Sequence, residues 1–138
     1  MPFDPLVSNC ETRPFLIPTL QVRPHEHHCL DASDVLRRKI IGAGVWTHPV
    51  LVDRRSRVIL DGHHRSAAAR ALGFTFLPAY LVDYETSNLV VESWREDFVM
   101  SKEIVLEAGL SGKLLPIKTS RHLFPVISES AIDIRVLQ

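Results

Sequence analysis

Residues 58–73, VILDGHHRSAAARALG, carry the side chains whose types and order point most directly to chemistry. An apolar run ends in Asp61, Gly62, His63, His64 and Arg65 at the point where an alanine-rich helix is expected to begin. A helix N-terminus presents unpaired N–H groups and the positive end of its dipole, which suits an anion, and glycine lets a ligand approach the backbone closely. Arg65 adds a two-pronged donor matched to phosphate. Asp61, at the strand terminus, has the chemistry to take a proton or to bind Mg²⁺. A plainer reading is also open: Asp61 as helix cap, Gly62 as a turn requirement, solvated histidines and a surface arginine.

Two further groups of residues stand out. The loop His25, Glu26, His27, His28, Cys29 has the composition of a zinc site but not its usual spacing. Structural zinc takes two ligand pairs, whereas Cys29 has no nearby thiol companion and the other paired donors are His63 and His64. Metal ligands are therefore not expected here, and Glu26 is the group of interest. If its strand neighbours the one ending at Asp61, Glu26 faces the phosphate pocket as a general base; otherwise it is a solvated loop charge. Lys118, Thr119, Ser120, Arg121 and His122 form a basic, hydroxyl-bearing loop after Pro116 that could grip phosphate or carboxylate. Trp46, before the expected hairpin, and Trp94, at the end of a strand, read first as packing residues.

These residues need a scaffold. The segment 14–22 is β-rich and broken by Pro18, so it predicts a short edge strand. From Ala32 the pattern predicts a helix with Val35, Leu36, Lys39 and Ile40 on one face, Asp31 or Ser33 as N-cap, and Gly42 or Gly44 as its stop. Residues 48–62 predict a tight hairpin about the polar tetrad Asp53, Arg54, Arg55, Ser56. The helix 63–73 follows, closed by Gly73. Residues 74–84 and 88–94 predict a second strand pair, and Ser101 caps a helix running to Gly112. Residues 114–125 read as a basic loop, and the alternating 131–138 as a last edge strand. Short strands interleaved with three to four helices predict a compact α+β fold with a small mixed sheet.

The chain has 138 residues, 46% of them hydrophobic, with 16 Lys+Arg against 16 Asp+Glu. This length suits one domain, expected over 14–138 behind a flexible arm at 1–13, and it buries roughly two thirds of the unfolded surface. The balanced charge argues against an extended nucleic-acid or membrane footprint, which needs clustered Lys and Arg. Two cysteines do not frame a disulfide scaffold, and neither a signal peptide nor a membrane span is visible, so a cytoplasmic protein is expected.

The ordered segments GVWTHPVLVD, VILDGHHRSAAARALG, VDY, Trp94 and KTSRH resemble the ParB/sulfiredoxin-like superfamily, specifically its free serine kinase branch, over roughly residues 15–125. Sulfiredoxins place a reactive cysteine where His63 and His64 stand, and chromosome-segregation ParB proteins carry a Glu-Arg-Arg turn and a DNA-binding helical domain; neither pattern is present. The resemblance implies phosphoryl transfer from ADP or ATP, with Mg²⁺, to the hydroxyl of free L-serine, giving O-phospho-L-serine. It implies Glu26 as base, Asp61 assisting catalysis or helping hold the metal-bound phosphate, and Gly62, His63, His64 and Arg65 cradling the phosphates. Trp46, Thr47 and His48 would form a loop by the base, while Trp94, Thr119, Ser120, Arg121 and His122 would line the amino-acid side. The expected partners are the nucleotide and serine, with a homodimer conceivable and nucleic acid not expected. The rival reading is a ParB-like nucleotide-binding regulatory module without kinase activity.

Overall fold

A computed structural model describes residues 8–11, 13–117, 119–123 and 131–138. The elements, in order, are β1 (Phe15–Pro18), α1 (Leu30–Ala43), β2 (Val45–Trp46), β3 (Val50–Asp53), β4 (Ile59–Asp61), α2 (His63–Ala71), β5 (Phe76–Val82), β6 (Val90–Ser93), α3 (Lys102–Ser111), β7 (Ser120–Leu123) and β8 (Ile132–Asp133). Four strands make the main sheet in the order β1-β5-β3-β4. β5 runs parallel to β3 and antiparallel to β1, and β3 and β4 form the expected antiparallel hairpin. The fold is thus mixed α and β, as the interleaved pattern predicts.

Side-chain alternation divides the interior into two cores. On one face Val50, Val52, Ile59, Leu77, Ala79 and Leu81 pack with Ile40 of α1 and Ala68 and Ala69 of α2. On the other, Leu51, Leu60, Tyr80 and Val82 pack with Val105 of α3 and with Tyr84 and Leu89. Because successive strand residues point to opposite faces, a central strand covered on both sides is apolar throughout. β5 fits that description, with six consecutive buried residues, Leu77 to Val82.

Five sequence expectations change. β5 does not pair with β6; it lies between β1 and β3, while β6 pairs antiparallel with β7. β7 itself occupies part of the segment read as a basic loop, an edge pairing without strong local β signal. Helix α1 starts at Leu30 with Cys29 as N-cap and no side-chain cap; Ser33 instead donates its hydroxyl to the Leu30 carbonyl within the first turn. Trp46 belongs to β2, paired with β8, and is 1% exposed. Within the segment expected as an arm, residues 8–11 are held: Cys10 bridges Val82 and the Glu11 N–H donates to Leu81 O.

Gly109 of α3 sits directly over Val58, where an added Cβ would lie 2.6 Å from Val58 Cγ2. Helix propensity favours alanine over glycine by about 1 kcal/mol, and overpacking of this kind costs about 1–3 kcal/mol. Gly109→Ala is therefore expected to destabilise the protein in urea titrations, with Val58→Ala restoring part of the loss; a more stable Gly109→Ala protein would show that α3 does not pack on the sheet at this point.

Candidate active site

The polar loop 23–27 is laced into the fold on both sides. Arg23 bridges Val58, with its carbonyl accepting from the Ile59 N–H, while the Leu115 N–H donates to His25 O and the His27 N–H to Leu115 O. A histidine-rich segment that reads as a loop thus behaves as a strand, and Glu26 projects from a fixed backbone. It is buried, at 9% exposure.

A buried carboxylate needs partners, and Glu26 has them at close range. Ser120 Oγ lies 2.7 Å from Glu26 Oε1 and 2.6 Å from His25 Nε2, and His25 Nε2 is 3.5 Å from the same carboxylate oxygen. The other ring nitrogen, His25 Nδ1, lies 2.6 Å from Ile59 O. A carbonyl only accepts, so Nδ1 carries a hydrogen. The single Ser120 hydrogen cannot serve Glu26 and His25 together. All three contacts are hydrogen bonds only if the array holds one proton beyond neutral imidazole plus carboxylate. With that proton on Nε2, His25 donates to Ser120 and Ser120 donates to Glu26. Burial alone would raise the Glu26 carboxyl, but bonds from His25 and Ser120, with the neighbouring His63 and His25 rings, hold it down at about 2.

Helix α2 closes the site from the other side. Its N-cap, Gly62, has φ 106, a conformation that disfavours side chains, and an added Cβ would meet Val50 Cγ1 at 2.6 Å. The imidazoles of the first turn face back into the fold. His63 Nε2 accepts from the His25 N–H at 3.2 Å, and His64 Nε2 accepts from the Cys29 N–H at 3.0 Å. The two histidines therefore clamp the Glu26 loop to α2, and it is the helix backbone that offers N–H groups to an anion. Arg65 is likewise engaged: Nη1 donates to His48 O at 2.7 Å and Pro49 O at 3.0 Å, and Nη2 lies 3.4 Å from Asp61 Oδ2. Its guanidinium anchors the 47–49 loop, leaving Nη2 beside Asp61.

These groups share one cavity of about 410 Å³, lined by Glu26, Asp61, Gly62, His63, His64, Arg65, Trp94, Ser120, Arg121 and His122 among others. Arg121 stacks on Trp94 at 4.8 Å and lies 3.7 Å from Glu92. A second cavity of about 250 Å³ is lined by Leu36, Ile40, Val45, Trp46, Thr47 and His48, and it shares Leu36 and Arg65 with the first. One half of the cleft is polar and the other mainly apolar, the division a nucleotide needs for its phosphates and its base. Thr119 does not line either half. It is 2% exposed and its hydroxyl donates to Pro116 O. Trp46 contributes only an edge of the apolar half, since its ring is core and its Nε1 donates to His48 O. Lys118 lies outside the described residues.

Sequence reasoning missed His25 as the partner of Glu26, although its place before the carboxylate was visible, and missed the α1 residues Leu36 and Ile40 as cavity wall. Among the described residues no cluster of three His, Cys, Asp or Glu side chains could hold a metal ion, and no helix is long and apolar enough to cross a membrane. The imidazoles serve instead as internal bonds. Tyr84 OH and His122 Nε2 share a hydrogen bond of 2.8 Å. Burial, reinforced by the charge of His25, pushes both His63 and His122 down to about 3.

No family model matches the chain. It is similar to a protein of Sulfolobus acidocaldarius named ParB-like protein, 38% identical over 102 residues, covering 67% of this chain and 49% of that protein. It is also similar to an ATP-dependent L-serine kinase of Staphylothermus marinus, 32% identical, covering 68% of this chain and 39% of that one, and to an ADP-dependent L-serine kinase of Thermococcus kodakarensis at 27% identity. The chain spans about half the length, or less, of these curated relatives. Among solved structures it superposes on a free serine kinase in complex with AMP with a TM-score of 0.82 at 16% identity, over 91% of this chain and 94% of that one. SbnI from Staphylococcus aureus, with a C-terminal truncation, gives 0.80 at 12% identity, over 91% of this chain and 89% of that one. The fold is that of the free serine kinases.

The buried imidazoles set a pH signature. Both are held below the ordinary histidine value of 6.5, so the unfolded chain takes up protons first as pH falls. Their contribution to stability is complete above 6.5 and is lost as pH falls from there toward 3, with a slope of at most about 1.4 kcal/mol per pH unit for each histidine. Urea titrations between pH 7 and pH 4 are expected to show this fall, and His122→Gln should make it shallower by about one proton; an unchanged slope would mean that His122 is not held neutral.

Proposed function

We propose that the chain is a small phosphotransferase that moves a phosphoryl group from ADP or ATP to the hydroxyl of free L-serine, giving O-phospho-L-serine. The observation that carries this reading is Glu26, a buried carboxylate kept ionised and aimed into the same cavity as the N-terminus of α2. The serine kinases among its relatives and the nucleotide complexes of its structural neighbours support it.

The phosphates rest on the backbone N–H groups of the first turn of α2, with the base in the apolar half between α1 and the 45–48 loop. Arg121, stacked on Trp94, meets the carboxylate of serine. The serine oxygen bonds to the terminal phosphorus as the bond from that phosphorus to the nucleotide oxygen breaks, and the serine proton passes to Glu26. A serine hydroxyl is a weak nucleophile, and the transition state is loose, so alignment and charge neutralisation supply most of the rate. Asp61 is an exposed carboxylate at the phosphate end of the cleft, a donor of the kind Mg²⁺ uses beside phosphate oxygens. Bound there, Mg²⁺ would neutralise phosphate charge. His25 acts through Glu26 as a positioning residue: with Ser120 it holds the carboxyl in its ionised form.

The name of the Sulfolobus relative favours a second reading, a ParB-like module that binds nucleotide without transferring phosphate to an amino acid. Incubation with serine, Mg²⁺ and ADP or ATP separates the two, with phosphoserine detected by mass spectrometry. Glu26→Gln is expected to lower the rate by about 100-fold or more while leaving nucleotide binding intact. Nucleotide binding with no phosphoserine from either donor would favour the module.

The Glu26 array predicts a distinct pH effect. Removing this partner lets burial raise the Glu26 carboxyl, so the acid limb of kcat/KM in His25→Gln should move up by about one to two pH units. A variant whose rate falls equally at every pH would assign His25 a purely structural part.

A further inference from the structure

The largest cavity among those described lies apart from the catalytic cleft and shares none of its lining residues. It measures about 700 Å³, and four arginines line it: Arg23 from the segment leading into the Glu26 loop, Arg55 and Arg57 from the turn of the β3–β4 hairpin, and Arg70 from the last turn of α2. No aspartate or glutamate is among the lining residues. The charges of the chain balance overall, so this cavity gathers four of its 16 basic residues with no acid among them. The carboxylate within the hairpin turn, Asp53, is occupied elsewhere: it accepts from the Ser56 N–H and hydroxyl and from the Tyr84 N–H.

Like charges gathered in one concavity raise the local potential and favour an anion there. Two further observations sharpen this. Among the described residues the buried Arg57 Nη1 has no hydrogen-bond partner, an arrangement that leaves a charged donor unsatisfied until something accepts from it. Arg57 is also held at φ 65, a left-handed conformation rare outside glycine and asparagine, with its N–H bonded to Asp53 O and its carbonyl accepting from Arg23 N–H. The hairpin turn therefore fixes Arg57 in the cavity wall beside Arg23, and Arg70, which also lines the cavity, donates Nη2 to Val22 O at 2.7 Å.

We propose that this cavity is a second binding site, for a small polyanion bearing two or more phosphate or carboxylate groups. Guanidinium forks pair with both, and several anionic groups match arginines that converge from three elements. The volume falls within that of small-ligand sites. The arginines line one cavity of bounded volume, which favours a compact anion over a nucleic-acid backbone.

The test uses the full chain at constant ionic strength, with inorganic pyrophosphate and citrate as separate probes, and follows the arginine Nε–H and backbone amide signals by NMR. Saturable shifts of the Arg23, Arg55, Arg57 and Arg70 Nε–H signals are expected. The pyrophosphate and citrate arms distinguish a phosphate from a carboxylate ligand. The double variant Arg23→Gln/Arg55→Gln changes two exposed side chains, so folding is not at stake, and it should weaken binding by about tenfold or more. Shifts confined to residues 61–65, no saturable shift with either probe, unchanged affinity in the double variant, or arginine shifts with a single-stranded oligonucleotide alone would each overturn the proposal. None of these readouts depends on phosphoserine formation.

Discussion

Everything at the candidate site depends on one electrostatic requirement: a carboxylate nearly removed from water must have its charge answered on the spot. Glu26 meets it through Ser120 and His25, and His25 is in turn fixed by the Ile59 carbonyl of β4. An isolated buried carboxylate would protonate and cease to be a base. The array prevents that by bonding the carboxylate to the Ser120 hydroxyl with the His25 ring behind it. The same feature makes the arrangement costly to break, since loss of one partner leaves the others buried and unsatisfied.

The fold supplies the distances. Ile59, Asp61 and α2 belong to one continuous strand, turn and helix, so the anchor of His25 and the anion-binding N–H groups cannot move independently. The Glu26 loop is bonded to β4 on one side and to Leu115 on the other. His63 and His64 fasten that loop to the helix, and Arg65 fastens the 47–49 loop to it, so three chain segments meet at the first turn of α2. Residues whose types suggest ligand contacts are thereby used as internal ties, and the turn itself lines the cavity.

What was legible in the sequence follows the range of the forces involved. The hairpin, the DGHHR turn, the α2 helix with Gly73 in the left-handed region and the Ser101 cap of α3 all rest on contacts within a few residues, and all appear as expected. The pairing of β6 with β7 joins residues about thirty apart, and no local propensity encodes it. Ser120 and His25 are separated by 95 positions, so the role of His25 could not be read from its neighbours; its setting among other histidines had the composition of a zinc site, which the spacing argued against, and drew attention to Glu26 alone. Trp46 was misplaced because β2 has only two residues and exists through its partner β8.

The central claim is spatial: Glu26 and the first turn of α2 flank one reacting phosphoryl group. A crystal structure of the chain with ADP and O-phospho-L-serine tests it most directly. The account predicts both phosphate groups at the backbone N–H groups of residues 63–65, the adenine in the cavity beside Leu36 and Ile40, and the phosphoserine ester oxygen within hydrogen-bonding reach of Glu26. Ligands bound with Glu26 still facing Ser120 alone and the phosphates away from α2 would contradict it.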